Sequence, residues 1–307
     1  MRLLKHWEVV KLILMITPFQ AMQHAVDIVN TSEHNKNKIA ACLVSDDTHI
    51  AKTNYRPNIL KEHFTPDARV GNSSQFIHAE VACIFNARFP TNGASIFITD
   101  PMCPNCAKAI CEAGIKHVYI DHKGMEKDFF IRRKDAFEQL SIPMMEHAGI
   151  RVSIIHRKDQ KITPLLNTAH DKKQPRKISH EDSNLEIALQ KMIETSKDRS
   201  FALCLTDGGT LYIPEIKNDI NHDNKKYRDE ISPVCRLLFH AKRHGINITD
   251  DTIACNLFPS SRDLVNAVGF GVQNIIIGSQ IPDHDINGLQ AASQLKKIDI
   301  LNIHELY

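Results

Sequence analysis

The stretch Phe97-Ile98-Thr99-Asp100-Pro101-Met102-Cys103-Pro104-Asn105-Cys106-Ala107-Lys108-Ala109-Ile110, running on through Ala113-Gly114-Ile115-Lys116-His117-Val118-Tyr119-Ile120, decides how this chain is built. One apolar run ends at Thr99 and another resumes at Ile115, while the segment between them opens on a Cys-x-x-Cys pair and stops at a glycine. That order reads as strand, helix, strand. Cys103 and Cys106 are three apart and so share one face of the helix at its amino end. Partial positive charge there lowers thiol pKa and favours the thiolate, the form that binds metal.

Working upstream, the next informative run is His78-Ala79-Glu80. Side chains two apart on a regular helix point roughly 200° from each other, so His78 and Glu80 can reach one ion only if it lies beyond the helix's first turn. Ser73-Ser74, ahead of the apolar run Val81, Ala82, Ile84 and Phe85, marks where that first turn is expected. Two helix ends then converge on one metal. Three ligands, His78, Cys103 and Cys106, leave the fourth position open, which is the arrangement of a catalytic zinc; a structural zinc takes four. The competing reading is a structural knot completed by Cys83 or Cys111, but both rotate off the ligand face. Glu80 alone would be an ordinary surface carboxylate. Beside His78 it reads as the general acid and base of a hydrolytic site.

A histidine two residues before a glutamate, followed by Cys-x-x-Cys, resembles the signature of the zinc deaminases. On that signature and the Phe97 to Ile120 stretch, residues 19–156 resemble the cytidine and deoxycytidylate deaminase superfamily, nearest its deoxycytidylate branch. The resemblance implies a three-layer α/β/α fold on a mixed five-stranded sheet and hydrolytic release of an amine from a nucleobase. It implies Zn2+ on His78, Cys103 and Cys106, with Glu80 as proton shuttle. It also implies that Asn54 contacts sugar and base and that the backbone of Ala79 contacts the base. One departure is visible: Met102 stands where the family usually has proline, and Pro101 lies one place earlier. Histidine as first ligand is similar to the deoxycytidylate, tRNA adenosine, guanine and riboflavin-pathway enzymes, whereas free cytidine deaminases typically use cysteine. Arg56, with Lys61 and Arg69 in the same loop, is the candidate for a nucleotide phosphate, set against an ordinary solvated loop.

Four functional classes follow. The leading one is a zinc hydrolase acting on a free cytosine nucleotide. A second is an editor of cytosine or adenosine in RNA or single-stranded DNA, for which Lys123 to Lys134, with Phe129, Phe130, Arg132 and Arg133, offers a basic aromatic platform. The alternative for both phenylalanines is a place in the core, which is preferred. A third is a non-catalytic, zinc-stabilised interaction protein. A riboflavin-pathway deaminase comes last, since the second half has no Gly-rich nucleotide loop.

With 307 residues, 42% of them hydrophobic, the chain exceeds one typical core and reads as two domains. A net charge of +2 gives no general field for nucleic acid. Leu3 to Ile16 is apolar but interrupted by Lys5, Glu8 and Lys11, so it reads as an amphipathic N-terminal helix and not as a membrane span. With no signal peptide, the compartment is expected to be cytoplasmic and the eight cysteines reduced. Cys42, Cys83, Cys111, Cys204, Cys235 and Cys255 then read as buried packing residues.

The expected domains are an N-terminal extension (1–18), a catalytic domain (19–156), a linker (157–183) rich in Lys, Arg and Pro, and a second domain (184–307). In the first domain, elements are expected near 19–31, 38–45, 48–53, 77–89, 94–99, 104–113, 116–121, 131–147 and 150–156, strands alternating with helices. The second domain repeats the first. Phe201 to Asp207 echoes Ile39 to Ser45, Leu237 to Lys242 echoes Cys83 to Arg88, and Gly271 to Ile277 echoes Gly114 to Ile120. In that alignment His78 falls on Ser232, Glu80 on Val234, Cys103 on Ser260 and Cys106 on Asp263. The second copy is therefore expected to keep the fold without the metal set, as an intrachain pseudo-dimer. His240 and His244, four apart, read as surface histidines. The expected partner is a small nucleotide, with no membrane and no favoured nucleic acid, and homo-oligomerisation is left open.

Overall fold

The structure, a computed structural model, describes residues 16–168, 178–180, 184–195, 200–214, 231–278 and 286–306. The expected N-terminal helix and most of the basic linker lie outside the described residues. Strands are numbered along the chain: β1 (Ala40–Ser45), β2 (Thr48–Thr53), β3 (Arg69–Val70), β4 (Ser73–Ser74), β5 (Ser95–Ile98), β6 (His117–Asp121), β7 (Arg151–His156) and β8 (Lys161–Leu166). The chain divides into two units, one of Met1–Asn54 with His78–Lys172, the other of Tyr55–Ile77 with Lys173–Tyr307.

The first unit is built on one sheet of order β2-β1-β5-β6-β7-β8. β1 pairs antiparallel with β2 and β5, while β5, β6 and β7 run parallel. In β1 the residues Ala40 to Leu43 are all fully buried, as a strand covered on both faces requires. Helix α1 (Pro18–Ile28) starts at Thr17, whose hydroxyl accepts from Gln20 N while Gln20 Oε1 accepts from Thr17 N, and Pro18 fills the first helical position. It lays Ala21, Met22 and Ala25 against Ala40, Cys42, Phe97 and Ile155. Burying Met22 completely contributes roughly 1.5–3 kcal/mol. By strand alternation Ala41 and Leu43 face the opposite side.

Two departures from expectation have clear causes. The expected five-strand sheet gains β8, antiparallel to β7, within the stretch anticipated as linker. Pro164, which cannot donate to a ladder, sits in this edge strand, where such a residue is tolerated. The helix expected over 131–147 is broken into Asp128–Ile131, Lys134–Ala136, a π-helical turn Phe137–Ser141, and Ile142–His147. Pro143 has no N–H for the carbonyl four residues back, so the ladder widens there.

In the second unit, β9 (Ile178–His180), β10 (Phe201–Thr206), β11 (Gly209–Pro214), β12 (Ile248–Cys255), β13 (Asn274–Gly278) and β14 (Asn302–Leu306) form a sheet of order β14-β13-β12-β10-β11-β9. Taken from the hairpin, β11-β10-β12-β13-β14 repeats β2-β1-β5-β6-β7 strand for strand. The directions repeat too, antiparallel twice and then parallel twice. The chain thus holds two tandem copies of one mixed α/β fold. Each has an added edge strand, beside β7 in the first and beside β11 in the second.

Among the described residues, the remaining helices of six residues or more are α2 (Asn58–His63), α3 (Ala79–Asn86), α4 (Pro104–Glu112), α5 (Ile142–His147), α6 (Leu185–Thr195), α7 (Pro233–His244), α8 (Ser261–Phe270) and α9 (Ile286–Lys297). Leu185, Ala188 and Leu189 of α6 close the second core over Phe201, Leu203, Tyr212, Ala254 and Ile276. α2 and the β3–β4 hairpin, which the sequence reading left as loop, belong to this second unit. His240 is buried and not a surface residue; its ring lies 4.5 Å from that of His244, which is exposed. Cys111 is half-buried, whereas the other five cysteines read as packing residues are buried. No helix among the described residues is long and apolar enough to cross a membrane.

Candidate active site

Two helix starts in the first unit build the site. His78 is the residue ahead of α3, in extended conformation (φ −70°, ψ 153°), and Cys103 holds the same place ahead of α4 (φ −77°, ψ 164°). α3 therefore begins at Ala79, and Ser73-Ser74, expected near its first turn, instead form β4. Neither helix is capped by its own starting side chain, which leaves both side chains to turn off the helix ends. There they meet. His78 Nδ1 lies 3.2 Å from Cys106 Sγ and 3.6 Å from Cys103 Sγ, and all three donor atoms fall within 4.8 Å of one another.

Those separations fit a tetrahedral zinc, in which a nitrogen at about 2.0–2.1 Å and a sulfur at about 2.3 Å from the ion stand about 3.5 Å apart. Among the described residues this is the one group of three or more such side chains close enough to share an ion. The two extra thiols are spent elsewhere. Cys83 Sγ donates to Ala41 O (3.2 Å) and Cys111 Sγ approaches Met144 O (3.8 Å). A hydrogen bond from Cys106 holds the Cys103 thiol well below its ordinary pKa, with His78 adding to the effect, while the same bond, together with burial, pushes the Cys106 thiol up.

Glu80 is the second residue of α3 and is buried to 3% exposure. Burial pushes its carboxyl pKa up, opposed by the neighbouring His78. Asn54 is also buried. Its Oδ1 accepts from Ser32 Oγ (2.6 Å) and Ile39 N (3.0 Å), and its Nδ2 donates to Asn37 O (2.9 Å). One amide hydrogen is left without a partner among the described residues. Ala79, fully buried, opens α3 with a backbone N–H outside the helical ladder. Arg56 lies in the second unit, where its Nη1 donates to Phe64 O and Gln75 Oε1, both at 3.1 Å. Lys61 and Arg69 belong to that unit as well, and Lys61 Nζ reaches Asn58 Oδ1 at 3.1 Å.

Sequence reasoning missed the support beneath Cys103. Asp100, 2% exposed, accepts from Lys127 Nζ on both carboxylate oxygens at 2.8 Å, and from Thr99 Oγ1 on Oδ2 at 2.9 Å. Met102, where the family usually has proline, is buried, and its carbonyl accepts from Ser141 Oγ at 3.2 Å. Of the proposed aromatic platform, Phe130 is buried edge-on to Phe137. Phe129 is half-buried, with the Arg133 guanidinium 4.2 Å over its ring.

The second unit repeats the two helix starts with different chemistry. Ser232 precedes α7 and Ser260 precedes α8, the positions that align with His78 and Cys103. Ser260 Oγ donates to Asp263 Oδ2 (2.6 Å), Cys235 Sγ to Asp263 Oδ1 (3.0 Å), and Asn266 Nδ2 to Cys235 Sγ (3.4 Å). Hydrogen bonds fill the place that metal donors fill in the first unit.

Residues 16–122 match the model of the cytidine and deoxycytidylate deaminase zinc-binding region. An uncharacterized deaminase encoded in the luxG 3' region of Aliivibrio fischeri is 31% identical over 97 residues, which is 32% of this chain and 64% of that protein, so the chain spans less than two thirds of this relative's length. Among solved structures, the dCMP deaminase of cyanophage S-TIM5 in complex with dCMP and dUMP is 21% identical, covering 46% of this chain and 99% of that one with a TM-score of 0.35. A structure from work on tRNA:A34 deaminases is 23% identical, covering 33% of this chain and 70% of that one with a TM-score of 0.21. At such scores neither bears on what this chain acts upon. The matched stretch, residues 16–122, is similar to that zinc-binding region and contains every donor of the site.

Proposed function

We propose that this chain is a zinc-dependent hydrolytic deaminase of a cytosine nucleotide, of the deoxycytidylate or cytidylate type, acting in the cytoplasm. The observation that carries the reading is the meeting of His78, Cys103 and Cys106 at two helix starts, with the buried carboxyl of Glu80 two residues on from His78. Three donors of this kind leave one corner of a tetrahedral ion open. Zinc held there supplies a water activated for attack near neutral pH.

The chain's own groups do the rest. Glu80 takes the proton of the attacking water, passes it to the ring nitrogen beside the attacked carbon, and then helps protonate the departing amine. Water and the exocyclic amine are consumed, a ring carbonyl and ammonia are formed, and Glu80 ends in its starting state. A carboxyl whose proton affinity is raised by burial suits a group that must both accept and return a proton. The remaining amide hydrogen of Asn54 and the backbone N–H of Ala79 are proposed to orient sugar and base. Arg56 is proposed as a phosphate contact, although Phe64 O and Gln75 Oε1 already occupy one of its amino groups. The eight free thiols suit a reducing compartment.

The test is ammonia release by the full chain, zinc-loaded, offered dCMP, CMP, cytidine, guanine and a tRNA anticodon stem in separate reactions. Release from the monophosphates, lost on chelation and restored by added zinc, is expected. Release from RNA alone would move the assignment to editing. Full zinc loading with no release from any of the five would leave a zinc-stabilised interaction protein.

A further inference from the structure

The second unit contains a piece of the first half of the sequence, and that piece ends one residue ahead of a candidate metal donor. Residues 55–77 begin directly after Asn54 and end directly before His78, and they belong to the second unit. Tyr55 N donates to Ile77 O (3.1 Å) and Ile77 N to Tyr55 O (2.8 Å), which closes the base of this excursion. Its far part is held at the start of α8 and along α9. Arg262 Nη1 donates to Phe76 O (2.9 Å), and Nη2 donates to Ser74 O (3.1 Å) and Ser74 Oγ (3.3 Å). Asn72 N reaches Ser261 Oγ (3.4 Å), and Gly71 N donates to Gln294 Oε1 (2.7 Å). All of these bonds lie inside the second unit.

Ile77, fully buried, rests on Gly269 of α8. A Cβ at position 269 would come within 2.4 Å of Ile77 Cδ1 and 2.7 Å of its Cγ1, so only glycine leaves room for this side chain as placed. α8 is the counterpart of α4. In the first unit the residues at this helix start, Cys103 and Cys106, supply two metal donors. In the second unit the aligned segment, Ser260 to Asp263, carries the arginine whose fork holds the backbone just ahead of the third donor. His78 has no side-chain cap of its own, so the direction of its ring follows from where the backbone through Phe76 and Ile77 sets it.

We propose that Arg262 is a positioning residue for the metal centre, acting through the carbonyls of Ser74 and Phe76 on the backbone that presents His78, with Gly269 seating Ile77 for the same end. The catalytically silent unit thereby has a task in the working one. Its consequence for zinc rests on the deaminase reading; the contacts themselves do not.

The experiment uses the full chain with Arg262→Ala, Arg262→Lys, Gly269→Ala, and Gly269→Ala combined with Ile77→Ala, which removes both carbons that would collide. Three readouts are taken: zinc affinity by chelator competition, the visible spectrum of the cobalt-loaded protein, and amide exchange of residues 79–82 in the metal-free protein. Arg262→Ala is expected to weaken zinc binding about tenfold or more, the range seen when groups supporting a metal ligand are lost. It is also expected to shift the cobalt bands and to speed exchange at the α3 start. Arg262→Lys restores part of each, because it keeps the charge but not the fork. Gly269→Ala weakens zinc binding and the paired variant recovers it.

Unchanged affinity, spectrum and exchange in a folded Arg262→Ala chain would overturn the proposal. If Arg262→Ala does not fold, the Gly269 pair decides in its place, and failure of Ile77→Ala to recover what Gly269→Ala loses counts against the proposal. A wild-type chain that takes up no zinc would sink the deaminase reading, and the exchange rates would then decide this inference alone.

Discussion

Glu80 is a carboxyl removed from water beside an imidazole, and its two possible offices separate cleanly on replacement by its neutral isostere. Glu80→Gln is expected to keep zinc at full stoichiometry while ammonia release falls by on the order of 10²–10⁴-fold, the range for losing a positioned proton carrier; metal analysis beside the ammonia assay checks both halves. His117 gives a second test at this scale. Burial, with help from Arg151, lowers its pKa from 6.5 to about 4. The unfolded chain therefore takes up this proton before the folded one, and the stability contribution, present above pH 6.5, is lost as pH falls towards 4. Melting temperatures of wild type and His117→Asn should thus differ in slope across that window and run parallel above it. The meeting of His78, Cys103 and Cys106, with Glu80 beside them, was legible in the sequence because their spacing along the chain already fixes how two helix starts can present them. Lys127 beneath Asp100 and Ser32 beneath Asn54 were not, since each pair meets only through the folded sheet.

At the scale of elements, the loop from β5 to α4 has to hold Cys103 still, and Gly124 is one of its supports. A Cβ there would fall 2.3 Å from Thr99 O and 2.8 Å from Asp100 Cα, both backbone atoms with little freedom to retreat. Gly124→Ala is expected to destabilise the protein by about 1–3 kcal/mol, as overpacking does, with a shifted urea midpoint as the measure. Zinc affinity should fall with it, because the displaced loop ends at a ligand. The strands and helices around this loop were readable within a residue or two: β5, α4 and β6 sit where apolar runs, the cysteine pair and Gly114 place them. The β3–β4 hairpin escaped because it is held by partners far along the chain, and β8 because Pro164 and the basic residues around it read as linker.

For the whole molecule, the tandem repeat was legible in three echoed segments, and the aligned helix starts fall where the alignment puts them. What no alignment could reveal is that the boundary between units is not a single cut, since Tyr55–Ile77 counts with the second. A chain ended after Lys172 would retain every metal donor yet lack Ser261, Arg262 and Gln294, leaving the 55–77 excursion without its holders. Such a truncation is expected to be less soluble and to bind zinc more weakly than the full chain, checked by sedimentation and chelator competition.

The separation between Gly71 and Gln294, 223 positions, also sets a clock during synthesis. At roughly 5–20 residues per second, a ribosome that has released the hairpin needs on the order of ten to forty seconds to deliver the side chain that receives it. Throughout that interval the nascent first half has its ligands but not their anchorage, so chaperone capture of stalled chains should be densest before the last helix emerges.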